Sequence, residues 1–307
     1  VASESSAVLE QQAELRRLAT ERRAVILAHN YQRGEVQDAA DITGDSLELA
    51  RAAAATDAEV ILFCGVRFMA ETAHILSPEK LVLLPDAHAG CPLADTITAE
   101  KLRALKRDHP DAPVVAYVNT AAEVKAEADI CCTSANAVEI VARFPAEQPL
   151  IFVPDRNLGD YVRRQSGRQN MIIWDGFCHV HEDITANDIE QARAHYPDAR
   201  VLAHPECRHE VLERADVVTS TSGMLRRPAT DPAQTFIVAT EVGLLHRLRQ
   251  LYPERTFVAA SRRATCPNMK LTTLEKAIVA LRDGVTEVTV PPRVREGALR
   301  AVQRMVE

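Results

Sequence analysis

Cys91, Cys178 and Cys266 stand 87 and 88 residues apart, and near-equal spacing over most of a chain marks a repeated structural unit. Each follows an apolar run that ends in small or polar residues, over 81–84, 171–174 and 256–260. Two other landmarks keep the period without the cysteines. His29, Tyr117 and His204 each close an apolar run, and Tyr31, Asn119 and Glu206 follow two residues on. Ser46, Ser134 and Ser222 stand 88 apart, each just before a helix-like segment. The chain therefore reads as three copies of one α/β unit, each bringing a cysteine, a polar strand end and a helix cap toward a common centre.

Hydrophobic periodicity fills in the units. An amphipathic helix over 7–22 precedes a strand at 25–28, a helix from Asp45, strands at 60–63 and 81–84, and a helix over 68–76 between them. The second unit has a helix over 99–106, strands at 114–118, near 130, at 150–153 and at 171–174, and a helix from Ser134. The third has a helix over 186–194 and strands at 200–203, near 217, at 236–239 and at 256–259. Short, wholly apolar strands alternating with helices imply parallel sheets covered on both faces. The expected fold is α/β: three pseudo-threefold-related αβα sandwich units around a central active site. Their expected bounds are 1–91, 92–178 and 179–266, with 267–307 returning to pack on the first through a helix over 274–282, a strand-like 285–290 and a charged helix. Pro291 takes the place of His29, Tyr117 or His204, so this tail adds no site residue.

The bulk properties narrow the function. A net charge of −7, from 36 basic and 43 acidic residues, argues against a nucleic-acid footprint or a basic membrane surface. There is no secretory pattern and no apolar run of about 18 residues to span a bilayer, so a soluble, cytoplasmic protein is expected. Seven cysteines without a signal peptide favour metal binding or buried thiols over a disulfide framework. Cys64, Cys131, Cys132 and Cys207 lack periodic partners and read as structural.

In parallel sheets ligands gather beyond the C-terminal strand ends, where all the landmarks lie. Three converging thiolates leave one position open on a tetrahedral zinc or on one iron of a 4Fe-4S cluster, and an open position admits substrate. The local C-x-x-C pairs usual in thiolate zinc sites are absent, which favours iron–sulfur. His179, His181 and His209 are rival ligands whose usual place is the surface or behind the ligands. Ser46, Ser134 and the pair Thr221-Ser222 read as helix caps whose neighbouring backbone N–H groups suit phosphate or carboxylate.

Ala28-His29-Asn30-Tyr31-Gln32, Gly44-Asp45-Ser46, Gly90-Cys91-Pro92-Leu93-Ala94, Tyr117-Val118-Asn119, Cys132-Thr133-Ser134, Asp175-Gly176-Phe177-Cys178, His204-Pro205-Glu206-Cys207 and Cys266-Pro267-Asn268-Met269-Lys270 together resemble the quinolinate synthase family of de novo NAD biosynthesis, over roughly residues 24–283. The resemblance implies one 4Fe-4S cluster on Cys91, Cys178 and Cys266, and condensation of iminosuccinate with dihydroxyacetone phosphate to quinolinate with loss of phosphate and water. It implies substrate positions at His29, Ser46, Tyr117, Val118, Asn119, Ser134, His204, Pro205, Glu206 and Thr221, and catalytic roles for Tyr31, Glu206 and His204. An aspartate-oxidising enzyme is a possible transient partner. Some members carry extra cysteines three and six residues before the last ligand; here Arg263 and Ala260 stand there. The rival class is a thiol-based iron–sulfur or zinc sensor, which needs exposed thiols and an output surface.

Overall fold

The computed structural model describes residues 2–306. It contains three four-stranded sheets, all parallel. The first has β1 (Ala24–His29), β2 (Ile42–Gly44), β3 (Val60–Cys64) and β4 (Leu81–Leu83) in the order β2-β1-β3-β4. The second has β5 (Val114–Tyr117), β6 (Ile130–Cys132), β7 (Leu150–Val153) and β8 (Met171–Ile173) in the order β6-β5-β7-β8. The third has β9 (Arg200–Ala203), β10 (Val217–Val218), β11 (Thr235–Ala239) and β12 (Thr256–Ala259) in the order β10-β9-β11-β12. Helices cover the sheets, as the apolar runs demand. β3, β5 and β7 are buried along their whole length, and each sheet centres on a buried phenylalanine: Phe63, Phe152 and Phe236.

The repeat is also written in side-chain bonds. Asp41, Asp129 and Asp216 each use Oδ2 to accept the N–H of the residue 15 positions earlier, Ile26, Val114 and Val201, at 2.7, 2.7 and 2.8 Å. Each thereby pins the entry to its second strand against its first. Thr98, Thr185 and Thr273 lie seven residues after the three cysteines, and each caps the next helix by accepting the N–H of Lys101, Asp188 or Lys276 at 3.2, 3.2 and 3.3 Å. Such a cap contributes about 1 kcal/mol. It also fixes where each cysteine loop ends.

Two local expectations change. Residues 285–290 are strand-like but form no full strand: after Gly284, left-handed at φ 71°, one antiparallel bridge joins Glu287 to Leu83, flanked by bonds from Leu84 N–H to Thr286 O at 2.9 Å and from Val288 N–H to Val82 O at 2.8 Å, before Pro291-Pro292 divert the chain. Ser46, Ser134 and the pair Thr221-Ser222 are not the caps. Asp45 caps Ser46–Ala55, accepting from Leu47 and Glu48 N–H at 3.0 Å each, and Ser220 caps Thr221–Arg226. Ser134 lies in a turn, because Asn136 Oδ1 takes Thr133 N–H at 2.8 Å and the helix opens only at Ala137.

The tail reaches two sheets. Leu274–Asp283 packs on the N-terminal helix and β3, whereas Pro292–Val306 lies against β6, the helix Ala122–Lys125 and the helix Arg67–Leu76. Asn136 Nδ2 donates to Met305 O at 3.1 Å and Arg51 Nε to Val306 O at 2.9 Å. No described helix is long and apolar enough to cross a membrane.

Candidate active site

The C-terminal strand ends of all three sheets meet at one cavity of about 70 Å³. Its walls include Cys91, Cys178 and Cys266 from three separate loops, together with His29, Tyr31, Ser46, Tyr117, Asn119, Ser134, His204, Glu206 and Thr221. Two of the expected positions stay outside. Val118 turns into the core, its N–H bonded to Cys132 O at 2.8 Å, and Pro205 is buried beside the cavity without lining it.

Two strand ends are built alike. Tyr31 N–H donates to His29 Nδ1 at 3.2 Å and Glu206 N–H to His204 Nδ1 at 3.4 Å, so one bend after the strand presents an imidazole and a second polar group together. His204 Nε2 lies 3.2 Å from Ser134 Oγ. Asn30 Nδ2 donates to Thr221 Oγ1 at 3.0 Å from a fully buried position.

Behind these groups runs a connected chain of polar atoms. Tyr31 Oη is 2.6 Å from Thr240 Oγ1, Thr240 Oγ1 is 2.8 Å from His181 Nε2, and His181 Nδ1 is 3.0 Å from Glu206 Oε2. His204 Nδ1 approaches the same carboxylate oxygen at 3.2 Å, and the rings of His181 and His204 stack at 4.6 Å. Burial pushes the Glu206 carboxyl up, but the neighbouring imidazoles, His181 first and His204 second, outweigh it and hold the group well below the ordinary carboxylate range. Burial, with the Glu206 charge second, drives the Tyr31 phenol well above its ordinary value. His29 is pushed down to about 4, chiefly by burial. The arrangement thus joins an ionised carboxylate to a protonated phenol through an imidazole and a hydroxyl, which suits proton movement between two points of one pocket.

The donor set fits a metal group. Burial raises all three thiols, Cys91 to about 12, and a bound cation is what makes buried thiols into thiolates. Glu206 Oε1 and Asn119 Oδ1 are buried without a partner, and buried polar atoms without partners call for something to bond. Cys178 Sγ, His181 and Glu206 also bring donor atoms within 4.8 Å of one another, a mixed set that shares Cys178 with the three-cysteine one. His181 sits three residues after Cys178 on the turn His179–Glu182, so the C-x-x-H spacing was the available signal for its place. Thr240, which sequence reasoning did not single out, follows the end of β11, and Asp45, read from the sequence only as a helix start, precedes Ser46–Ala55. Both carry only ordinary turn or cap signatures.

A family model described as "Quinolinate synthetase A protein" matches residues 13–307. Curated relatives named "Quinolinate synthase" include those of Dehalococcoides mccartyi (strain CBDB1), 52% identical over 94% of this chain and 95% of its own length, and Thermodesulfovibrio yellowstonii, 51% identical over 95% and 96%. The relative from Geobacter metallireducens is 53% identical over 95% and 96%.

Proposed function

The chain belongs to the quinolinate synthase family, and on that premise we propose that it condenses iminosuccinate with dihydroxyacetone phosphate to quinolinate, with loss of phosphate and water, beside one 4Fe-4S cluster on Cys91, Cys178 and Cys266. The observation that carries this reading is the convergence of those three cysteines, each from its own loop, on the cavity that also holds Tyr31 and Glu206. When bound, the cluster supplies an iron with an open position, a Lewis acid for substrate oxygen or nitrogen.

The chain's own residues divide the remaining work. Ser46, Ser134 and Thr221 offer hydroxyls, and His29 and His204 ring nitrogens, to the carboxylates and phosphate of two anionic substrates. Asn119, its Oδ1 unpartnered, orients them. Glu206 takes a proton from carbon next to a carbonyl, and Tyr31 delivers one to a departing hydroxyl. The Thr240–His181 link lets the pair reset between those steps. The buried lining of His29, His204, Glu206 and Thr221 limits water at an imine that water would hydrolyse. A cytoplasmic setting and supply of iminosuccinate by an aspartate-oxidising enzyme complete the proposal.

The test is anaerobic purification, iron and sulfide analysis, and a quinolinate assay from the two substrates. Four irons and four sulfides per chain with product formation are expected. Glu206→Gln and Tyr31→Phe should keep the iron and lower turnover by about 10²–10⁴. Zinc in place of iron, or a full cluster without product, would favour the sensor.

A further inference from the structure

The three cysteine loops are not held alike, and the difference lies in two carboxylates. Asp155 and Glu241 each stand two residues beyond the third strand of their sheet, after Val153 of β7 and Ala239 of β11, and both are fully buried. Asp155 Oδ2 accepts Cys178 N–H at 3.1 Å while Oδ1 accepts Leu158 N–H at 2.7 Å. Glu241 Oε1 accepts Cys266 N–H at 3.0 Å while Oε2 accepts Gly243 N–H at 2.6 Å. Lys270 Nζ lies 3.0 Å from Glu241 Oε1 and also donates to Tyr31 O.

In the first sheet β3 ends at Cys64, and the matching residue is Val66. The Cys91 loop is held by other means: Arg67 N–H donates to Ala89 O at 2.8 Å, and Asn268 Nδ2 donates to Gly90 O at 2.9 Å. Asn268 lies in the Cys266 loop, so the loop with no carboxylate on its cysteine amide is tied to one that has it.

Burying a carboxylate is costly unless hydrogen bonds repay it, and Val66 shows that an apolar side chain can complete this position. Helix capping accounts for one oxygen of Asp155 only. The helix after Glu241 has Gly243 as its N-cap residue, so capping does not unite the two. What they share is the amide of a cysteine. We propose that Asp155 and Glu241 are positioning residues for the group held by Cys178 and Cys266, fixing the backbone so that the thiols stand pre-aligned, with Asn268 passing the constraint to Cys91. This rests on the cluster reading above. Partners behind first ligands tune metal affinity in this way.

Asp155→Asn and Glu241→Gln separate this role from the fold, because the amide keeps one acceptor oxygen for Leu158 or Gly243 while turning its NH2 toward the cysteine N–H. Parent and variants are reconstituted anaerobically with iron and sulfide, and three quantities are read: metal content, bleaching of visible absorbance under excess chelator, and melting of the iron-free chains. The iron-free variants should still fold and take up iron, melting below the parent because each sets an NH2 against a buried N–H and Glu241→Gln also unpairs Lys270, and they should bleach about 10–100-fold faster, more than that loss explains. Bleaching at the parent's rate in both variants overturns the proposal. So does an iron-free melting loss large enough to account for faster bleaching, which would assign both carboxylates to the fold alone. A parent that takes up neither iron nor sulfide overturns the cluster reading itself, a separate outcome.

Discussion

The seam between the first and second sheets and the seam between the third and first are made of different materials. Leu27 and Phe63 of the first sheet share one continuous apolar cluster with Val115 and Phe152 of the second, and Ala298 and Val302 of the terminal helix join it. The third sheet keeps its apolar residues in two clusters of its own, around Val201 and Ile237 on one face and Phe236 and Phe257 on the other. It meets the first through polar contacts. Asn30 bonds Thr221, His246 Nε2 lies 2.7 Å from Asp38, Gln37 Nε2 donates to Gly243 O at 3.0 Å, and Arg226 reaches Glu48 at 3.3 Å. Apolar burial is lost in full when a seam parts, whereas hydrogen bonds exchange for water at a small net cost. The polar seam is therefore the softer one, and Tyr31 and Thr240 face each other across it.

Four substitutions can break or sharpen this contrast. Phe152→Ala in the shared core should cost about 3–5 kcal/mol and lower the melting of the first and second sheets together, read by amide exchange in β1, β3, β5 and β7. Loss of protection in β5 and β7 alone would mean that the shared cluster does not couple them. Phe236→Ala, stacked on Phe257 at 5.5 Å, should cost up to a similar amount. Its exchange should rise in β9, β11 and β12 while β3 and β7 keep their protection; an equal rise in all three sheets would erase the distinction.

At the polar seam, Asn30→Ala leaves the buried Thr221 hydroxyl without that partner and should cost about 1–3 kcal/mol. Thermal unfolding measures it, and a cost like that of Phe152→Ala would show the seam to be stiff. Asp38→Ala removes the contacts to His246 and to Gln250 Nε2 at 2.6 Å. The side chains are about one third exposed, so the expected change is at most about 1 kcal/mol. Proteolysis should nonetheless speed at the seam if the third sheet opens as a body. An unchanged digestion pattern would count against that.

Sequence carried the sheets well because period and apolar runs are set by burial, and burial in a parallel sheet repeats with the chain. Its failures were of another kind. Asp45 and Ser220, rather than Ser46 and Ser222, cap their helices. Adjacent residues of similar chemistry can both satisfy a cap pattern, and only backbone angles choose between them. The strand-like segment over 285–290 does run antiparallel beside residues 82–84, but its pairing stops at a single bridge before Pro291. The cavity-lining side chains were legible as repeated strand ends. His181 was weighed as a rival ligand, yet its bridge from Thr240 to Glu206 joins three distant segments that no local pattern connects. Asp155 and Glu241 left no trace either, because their third counterpart is Val66 and the repeat is broken there.

The spread of the cysteines along the chain sets an order on assembly. Cys266 follows Cys91 by 175 residues, which a ribosome adding about 5–20 residues per second covers in roughly 9–35 s. The terminal helix that leans on the first two sheets comes later still. Early in synthesis the nascent chain thus offers one or two lone thiols, open to oxidation or to stray metal. The three-sided receptacle exists only once the Cys266 loop has been made, so whatever group the thiols hold is fitted after all three sheets have been synthesised.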